Sequence, residues 1–408
     1  MIEFVSYAVI GILAGCVTGL IPGLHVNTVA LIALGLFYTY SFDALNLSVF
    51  ILSMGITHSF VDFIPSIYLG APSSDTVLSV QPGHRMVLMG RGFEALALSV
   101  VGGIFGIFFV MVLLLGLFVV VPFVYVYIRA WIPFLLVVVE VYMIAIERNR
   151  LVALLVCFLS LMYGVILMNT HVISQKYTLF VMLTSLFGIS SLVLSYATTS
   201  KLPVQRKRFK IKLGPALSGS FAGFVGGLVA GTLPGLGGSQ SAIIVQKFGR
   251  IKGAKKYITT LGTINTIDIL ISVFSLYMIG KARSGSAIVI QEVVGVITVQ
   301  NMVLFLGVAL FSCGAAAAVT LSIGKTAAEH VHKVDYRKLV FAIVSFLGVL
   351  VFVYTGFAGL LVCLTGVVIG VLPNLFGVKK SLLMSCLIGP TILYLTGTDY
   401  VVLGMLGL

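Results

Sequence analysis

The chain has 408 residues, 60% of them hydrophobic and 9% charged, with a mean hydropathy of +1.18. A soluble domain carries about 25% charged residues, so this composition excludes a water-soluble protein and indicates one helical membrane body. The net charge of +13 lies mostly in short loops between apolar runs, a topology signal rather than a nucleic-acid surface.

From the N-terminus, residues 4–20 and 24–40 form two apolar arms joined by Pro22-Gly23. No basic residue precedes the first arm, so a cleaved leader is not expected. A run at 47–70 leads into the polar stretch GAPSSDTVLSVQPGHRMVLMGRG. Further runs follow at 94–121, 131–146, 151–168 and 177–196. Residues 197–213 hold Lys201, Arg206, Lys207, Arg208, Lys210 and Lys212 and read as a basic linker on the cytoplasmic side. The arms 214–232 and 236–246 then meet at Pro234-Gly235, followed by a second basic loop and runs at 257–280, 300–323, 339–355, 357–373 and 381–397.

The two breaks are copies of one pattern. Gly11, Gly15, Gly19, Pro22, Gly23 and Leu24 fall without a gap on Gly223, Gly227, Gly231, Pro234, Gly235 and Leu236. Proline removes a backbone donor and glycine permits a turn. Inside lipid such a break is tolerated only where protein or a cavity surrounds it. Basic loops on both sides of the second arm pair make it a re-entrant hairpin, and each half then holds an odd number of spans. The expected fold is therefore all-α: about ten membrane helices plus two re-entrant Pro-Gly hairpins in an inverted-topology repeat. Residues 1–196 form the first repeat, 197–213 the linker and 214–408 the second repeat, in the cell membrane.

Small and polar residues follow each break. His25, Asn27 and Thr28 in one copy, and Gly237, Gly238, Ser239 and Gln240 in the other, suit an anion at a half-helix N-terminus. Close helix packing is the simpler reading of the upstream glycines. Ser59 and Asp62 lie three apart, as do Asn265 and Asp268, each pair at a similar distance from its break. Carboxylates inside apolar runs mark ion or proton paths by default, so these four are the candidate ion-coupling residues, for Na+ or H+. Each pair precedes a hydroxyl-rich patch, Ser73 and Ser74 in one half and Ser284 and Ser286 in the other. His58 and Asp62, four apart, lack a third ligand and do not make a metal site. No Walker loop, nucleophile elbow or HExxH is present, so neither an enzyme nor a resident cofactor is expected. Two readings remain: a secondary transporter of an organic anion by alternating access, and a carrier of a lipid-linked phosphate, to which the same tips would be suited.

The paired Pro-Gly-Leu breaks, the segment SIYLGAPSSDTVLSVQPGHRMVLMGRGFEALAL and the segment NTIDI resemble the large membrane subunit of tripartite tricarboxylate transporters, the TctA-type permeases. Pro82-Gly83-His84-Arg85-Met86, Gly90-Arg91 and Ala95-Leu96 match the family's stretch, with Pro-Gly where Asp-Gly is usual. Leu233 to Gly238 matches the second hairpin, and Asn265 falls on a family asparagine. The stretch 281–300 lacks the second Gly-Ile-Pro-Gly patch, the mark of a compact, divergent, archaeal-type branch. The resemblance implies uptake of a di- or tricarboxylate coupled to an ion gradient, with a small membrane subunit and an extracytoplasmic binding protein as partners; a homodimer is compatible with it.

Overall fold

The computed structural model describes the chain apart from residues 1, 22–25, 41, 71–75, 77, 79, 199–201, 234–236, 334, 407 and 408. In chain order the helices are α1 (Ile2–Leu20), α2 (Val26–Tyr40), α3 (Ala44–Val61), α4 (Val80–Leu88), α5 (Gly92–Ile128), α6 (Ile132–Ala145), α7 (Arg150–Asn169), α8 (Gln175–Leu183), α9 (Ser190–Thr198), α10 (Leu213–Thr232), α11 (Gly238–Phe248), α12 (Ala254–Ile279), α13 (Gly285–Val294), α14 (Val299–His330), α15 (Tyr336–Phe376), α16 (Ser385–Thr396) and α17 (Asp399–Leu406). Among the described residues there is no strand, and nine helical runs are long and apolar enough to cross a membrane.

Local chemistry sets the helix starts. Asp43, Asn149, Ser284, Thr298 and Asp335 occupy N-cap positions, and each side chain accepts a backbone N–H from the first turn of the helix that follows. The runs expected at 339–355 and 357–373 form the single 41-residue element α15, interrupted at Gly356 (φ +66°, ψ −159°). At 1.5 Å per residue it would measure about 60 Å, twice a hydrocarbon core, so each arm suffices for a span. The run expected to stop at 121 continues to Ile128, past Pro122. Pro122 withholds one N–H from that run without ending the helix.

The chain divides into two compact units. The first comprises Met1–Val126 and Lys201–Val334, the second Tyr127–Ser200 and Asp335–Leu408. Each half of the sequence thus gives one segment to each unit. In the first unit α3 and α12 are the central elements: every residue from 46 to 61 of α3 except the half-buried Phe50 is buried, although they include Ser48, Ser53, Thr57, His58 and Ser59. A helix buried on every side needs no apolar stripe, and α3 has none. In the second unit α7 packs on α16 and on the turn before it, where Ser160 donates to the Leu383 carbonyl (2.5 Å), and Tyr163 donates to the Val362 carbonyl of α15 (2.8 Å).

Candidate ion-coupling site in the first unit

Both sequence breaks interrupt a helix, and at equivalent places. α1 ends at Leu20 and α2 begins at Val26; α10 ends at Thr232 and α11 begins at Gly238. Pro22, Gly23, His25, Ser73, Ser74, Pro234 and Gly235 lie outside the described residues, as do the side chains of Thr28 and Gln240.

The upstream glycines pack two helix pairs in the same way. A methyl on Gly11 or Gly15 would meet the carbonyls of Phe50 (2.5 Å) and Met54 (2.6 Å), so α1 lies against the backbone of α3. On α10, Gly223 stands 2.5 Å from the Thr260 carbonyl by the same measure, and Gly231 2.7 Å from Ile271. Small-xxx-small spacing permits this approach. The stripes also fix how α3 corresponds to α12. Gly11 meets Phe50 and Ser53, and Gly223 meets Thr260 and Thr263. In that register Ala44 falls on Ala254 where the helices begin. Gly70 (φ +67°) falls on Gly280 (φ +65°), both in left-handed C-caps. Asp268 therefore corresponds to His58, and Asp62 to Ser272. The sequence pairing of Ser59 and Asp62 with Asn265 and Asp268 is one helical turn out of this register.

The two helices nevertheless bring most of those residues together. Asn265 Nδ2 on α12 lies 3.2 and 3.3 Å from the carboxylate oxygens of Asp62 and 3.1 Å from the Ser59 carbonyl on α3. One amide with two hydrogens thus faces three oxygens. Ser59 Oγ adds a contact to Thr266 Oγ1 at 3.2 Å. On the other side, Thr18 Oγ1 lies 3.2 Å from the Gly15 carbonyl and shares a hydrogen bond with His58 Nδ1 at 3.0 Å. His58 Nε2 lies 3.8 Å from Asp62 Oδ2, an ion pair only when the imidazole is protonated. All of Thr18, His58, Ser59, Asp62, Asn265 and Thr266 are buried. Asp62 itself caps α3, just before Pro65 opens a π-helical turn to Leu69. Such turns are frequent at functional sites. Asp268 is half-buried, with its carbonyl against Gly231.

The helices that follow the breaks stand against this pair. A methyl on Gly55 of α3 would touch both Val26, the first residue of α2, and Ile269, next to Asp268. Gly238, the first residue of α11, meets Ile264, next to Asn265. Gly237 is the N-cap of α11 and Ser239 is buried in its first turn. Asn27 instead ties two helices together. Its Oδ1 accepts the Ser286 N–H (3.0 Å) at the start of α13, where its side chain lies against Gly285.

Sequence reasoning passed over Glu140. It lies within the apolar helix α6 of the second unit, and both its carboxylate oxygens are buried, with no charged partner among the described residues. Ser385 lies beside it, and Cys157 and Cys386 are within electrostatic range. The signal was present: an acid inside an apolar run, the same argument that singled out Asp62. Glu140→Gln keeps the shape and removes the charge. It should leave the thermal midpoint of the purified protein unchanged or higher, whereas a drop of more than about 2 kcal/mol in stability would mean that the carboxylate is held by an ionic partner.

Residues 5–385 match the tripartite tricarboxylate transporter TctA family. The chain belongs to this family. Membership makes it a component of a membrane transporter and not an enzyme, and favours the carboxylate reading over the lipid-linked carrier. An uncharacterized protein of the archaeon Methanocaldococcus jannaschii is 30% identical over 396 residues, covering 95% of this chain and 98% of that one. No solved structure matches the chain. The buried cluster on α3 and α12 therefore sits within a TctA protein that crosses the membrane several times.

Proposed function

We propose that this TctA-family chain is the permease of a cation-coupled carboxylate transporter, in which Ser59, Asp62, Asn265 and Asp268 hold the coupling cation, H+ or Na+. Asp62 supplies the charge, and Asn265 and Ser59 supply neighbouring oxygens. His58 is the group through which a proton would be exchanged with Asp62. The substrate, a di- or tricarboxylate, lies between the starts of α2 and α11, met by Pro22, Gly23, His25, Asn27, Thr28, Ser73 and Ser74 from one half and by Pro234, Gly235, Gly237, Gly238, Ser239 and Gln240 from the other. Positive helix ends and small residues suit an anion there. The two stretches are re-entrant hairpins of an inverted repeat, and alternating access moves the paired helices about the fixed site. The chain resides in the cell membrane with residues 197–213 in the cytoplasm. A small membrane subunit and a binding protein outside the cell complete the system.

The observation that carries this reading is the buried contact of Asp62 with Asn265, joining equivalent helices of the two halves beside both breaks. Thermal-shift titration of the purified chain with citrate and with dicarboxylates, with and without Na+ and at several pH values, tests it. A carboxylate at 100 times its Kd stabilises by about 2.7 kcal/mol. The expected result is a shift that depends on Na+ or on pH. A shift indifferent to both would remove the coupling, and no shift with any carboxylate would remove the substrate class.

A further inference from the structure

The basic linker does more than set topology. Gln205 is buried, and its side-chain oxygen accepts the Gly92 N–H (2.8 Å), while its amide donates to the carbonyls of Val87 (3.0 Å) and Pro203 (2.7 Å). The Arg206 N–H donates to the Gly90 carbonyl (2.8 Å). Gly90 adopts φ +72°, and a methyl there would press on the Val204 carbonyl at 2.9 Å. The linker is thus pinned along the turn between α4 and α5. Lys207 pairs with Glu329 (2.7 Å), whereas Arg206, Arg208 and Lys210 all line one cavity of about 370 Å³.

Arg91, Glu94, Phe209 and Lys255 complete the lining. Glu94 is already shared by Arg91 (2.8 Å) and Lys255 (2.6 Å). Among the described residues no carboxylate pairs with Arg206, Arg208 or Lys210. Five cations and one carboxylate therefore surround this space, and two long helices, α5 and α12, begin beside it with their positive ends. Phe209 is set edge-on against Phe93, ring centroids 5.5 Å apart, which fixes the linker side of the cavity. Concentrated positive charge of this kind is self-repulsive without an anion. Guanidinium forks match phosphate oxygens in pairs. Close in sequence to the lining residues, Leu88 and Met89 at the end of α4 and Val204 two residues before Arg206 are apolar and open, 42%, 52% and 70% exposed.

We propose that this cavity binds the phosphate of an anionic lipid head group, the acyl chains lying against Leu88, Met89 and Val204. Basic pockets at the ends of membrane helices recognise such head groups. Phosphate chemistry could also be supplied by a soluble anion, and the apolar edge is what assigns the source to lipid.

The test is a binding titration of the full chain in neutral detergent with short-chain phosphatidylglycerol, short-chain phosphatidylcholine, inorganic phosphate and citrate. Phosphatidylglycerol should bind and phosphatidylcholine should not. Arg206→Gln/Arg208→Gln/Lys210→Gln should weaken phosphatidylglycerol binding by roughly 100-fold, and these exposed side chains can change without unfolding the protein. Arg148→Gln/Arg150→Gln, which removes charge from the other unit, should leave it unaltered. Equal weakening by both variants, or none by either, would overturn the site. Tighter binding of inorganic phosphate or citrate than of the lipid would overturn the lipid assignment.

Discussion

Asp62→Asn is expected to lower carboxylate uptake by reconstituted protein roughly 100-fold, a change of about 2.7 kcal/mol, and to erase its dependence on the cation gradient. The geometry separates this loss from misfolding. Asparagine keeps one oxygen to accept from Asn265 Nδ2, which now lies 3.2 and 3.3 Å from the two carboxylate oxygens. What disappears is the charge, together with any protonated pairing with His58, whose Nε2 is 3.8 Å from Oδ2. The exchange replaces a charge-assisted hydrogen bond by a neutral one, a stability change of about 1 kcal/mol, so the thermal midpoint should move by only a few degrees. The double variant Asp62→Asn/Asn265→Asp returns a carboxylate to the same cluster from the opposite helix. It should recover part of the cation dependence, a coupling that two independent structural lesions would not show. Uptake that remains gradient-driven in Asp62→Asn would end the assignment of the cation to this cluster.

How much of this site could be read beforehand follows from the same residues. The helix breaks were legible because Pro22 and Pro234 act locally, through a missing donor and a fixed φ. Gly356 was legible in the same way, as the gap between two apolar runs. That Asp62 and Asp268 are candidates followed from the cost of a carboxylate in lipid, which requires no knowledge of the fold; that Asn265 meets Asp62 across two helices did not. Register was not legible. Counting from each proline gave 40 residues to Asp62 and 34 to Asp268, a difference that looked like ordinary loop variation. The helix starts show that 18 residues separate Val26 from Ala44 and 16 separate Gly238 from Ala254, so loop length explains two of the six. The remaining four are one turn of helix, and only the packing of the glycine stripes reveals them. The pinned linker was hidden for a related reason. Its composition announced topology, while its shape depends on Gln205 meeting a turn more than a hundred residues earlier.

Gly262→Ala is expected to destabilise the protein by roughly 3 kcal/mol, near the upper end of what a single methyl does. A methyl at Gly262 of α12 would fall on the Ser99 carbonyl of α5, and one at Gly102 of α5 would fall on the Thr259 carbonyl of α12. Backbone faces backbone on both sides of this crossing, so no side chain can rotate to make room. Thr263 Oγ1 also donates to the Gly102 carbonyl (2.7 Å), a bond that requires the close approach. The consequence reaches the site. Gly103, the next residue of α5, admits Phe60 of α3 and lies against Thr266 Oγ1, the hydroxyl that meets Ser59. Forcing α5 away from α12 therefore displaces a member of the buried cluster, and the cation dependence of carboxylate binding should fall together with the thermal midpoint. Gly116→Ala is the control within the same helix. Among the described residues no atom lies within 4 Å of a methyl built there, and replacing a mid-helix glycine by alanine in open space should stabilise by about 0.5–1 kcal/mol. Opposite signs for the two alanines, read as melting temperatures of the purified variants, would show that the α5–α12 crossing and not helix propensity sets the effect; equal midpoints would show that the crossing is looser than this geometry requires.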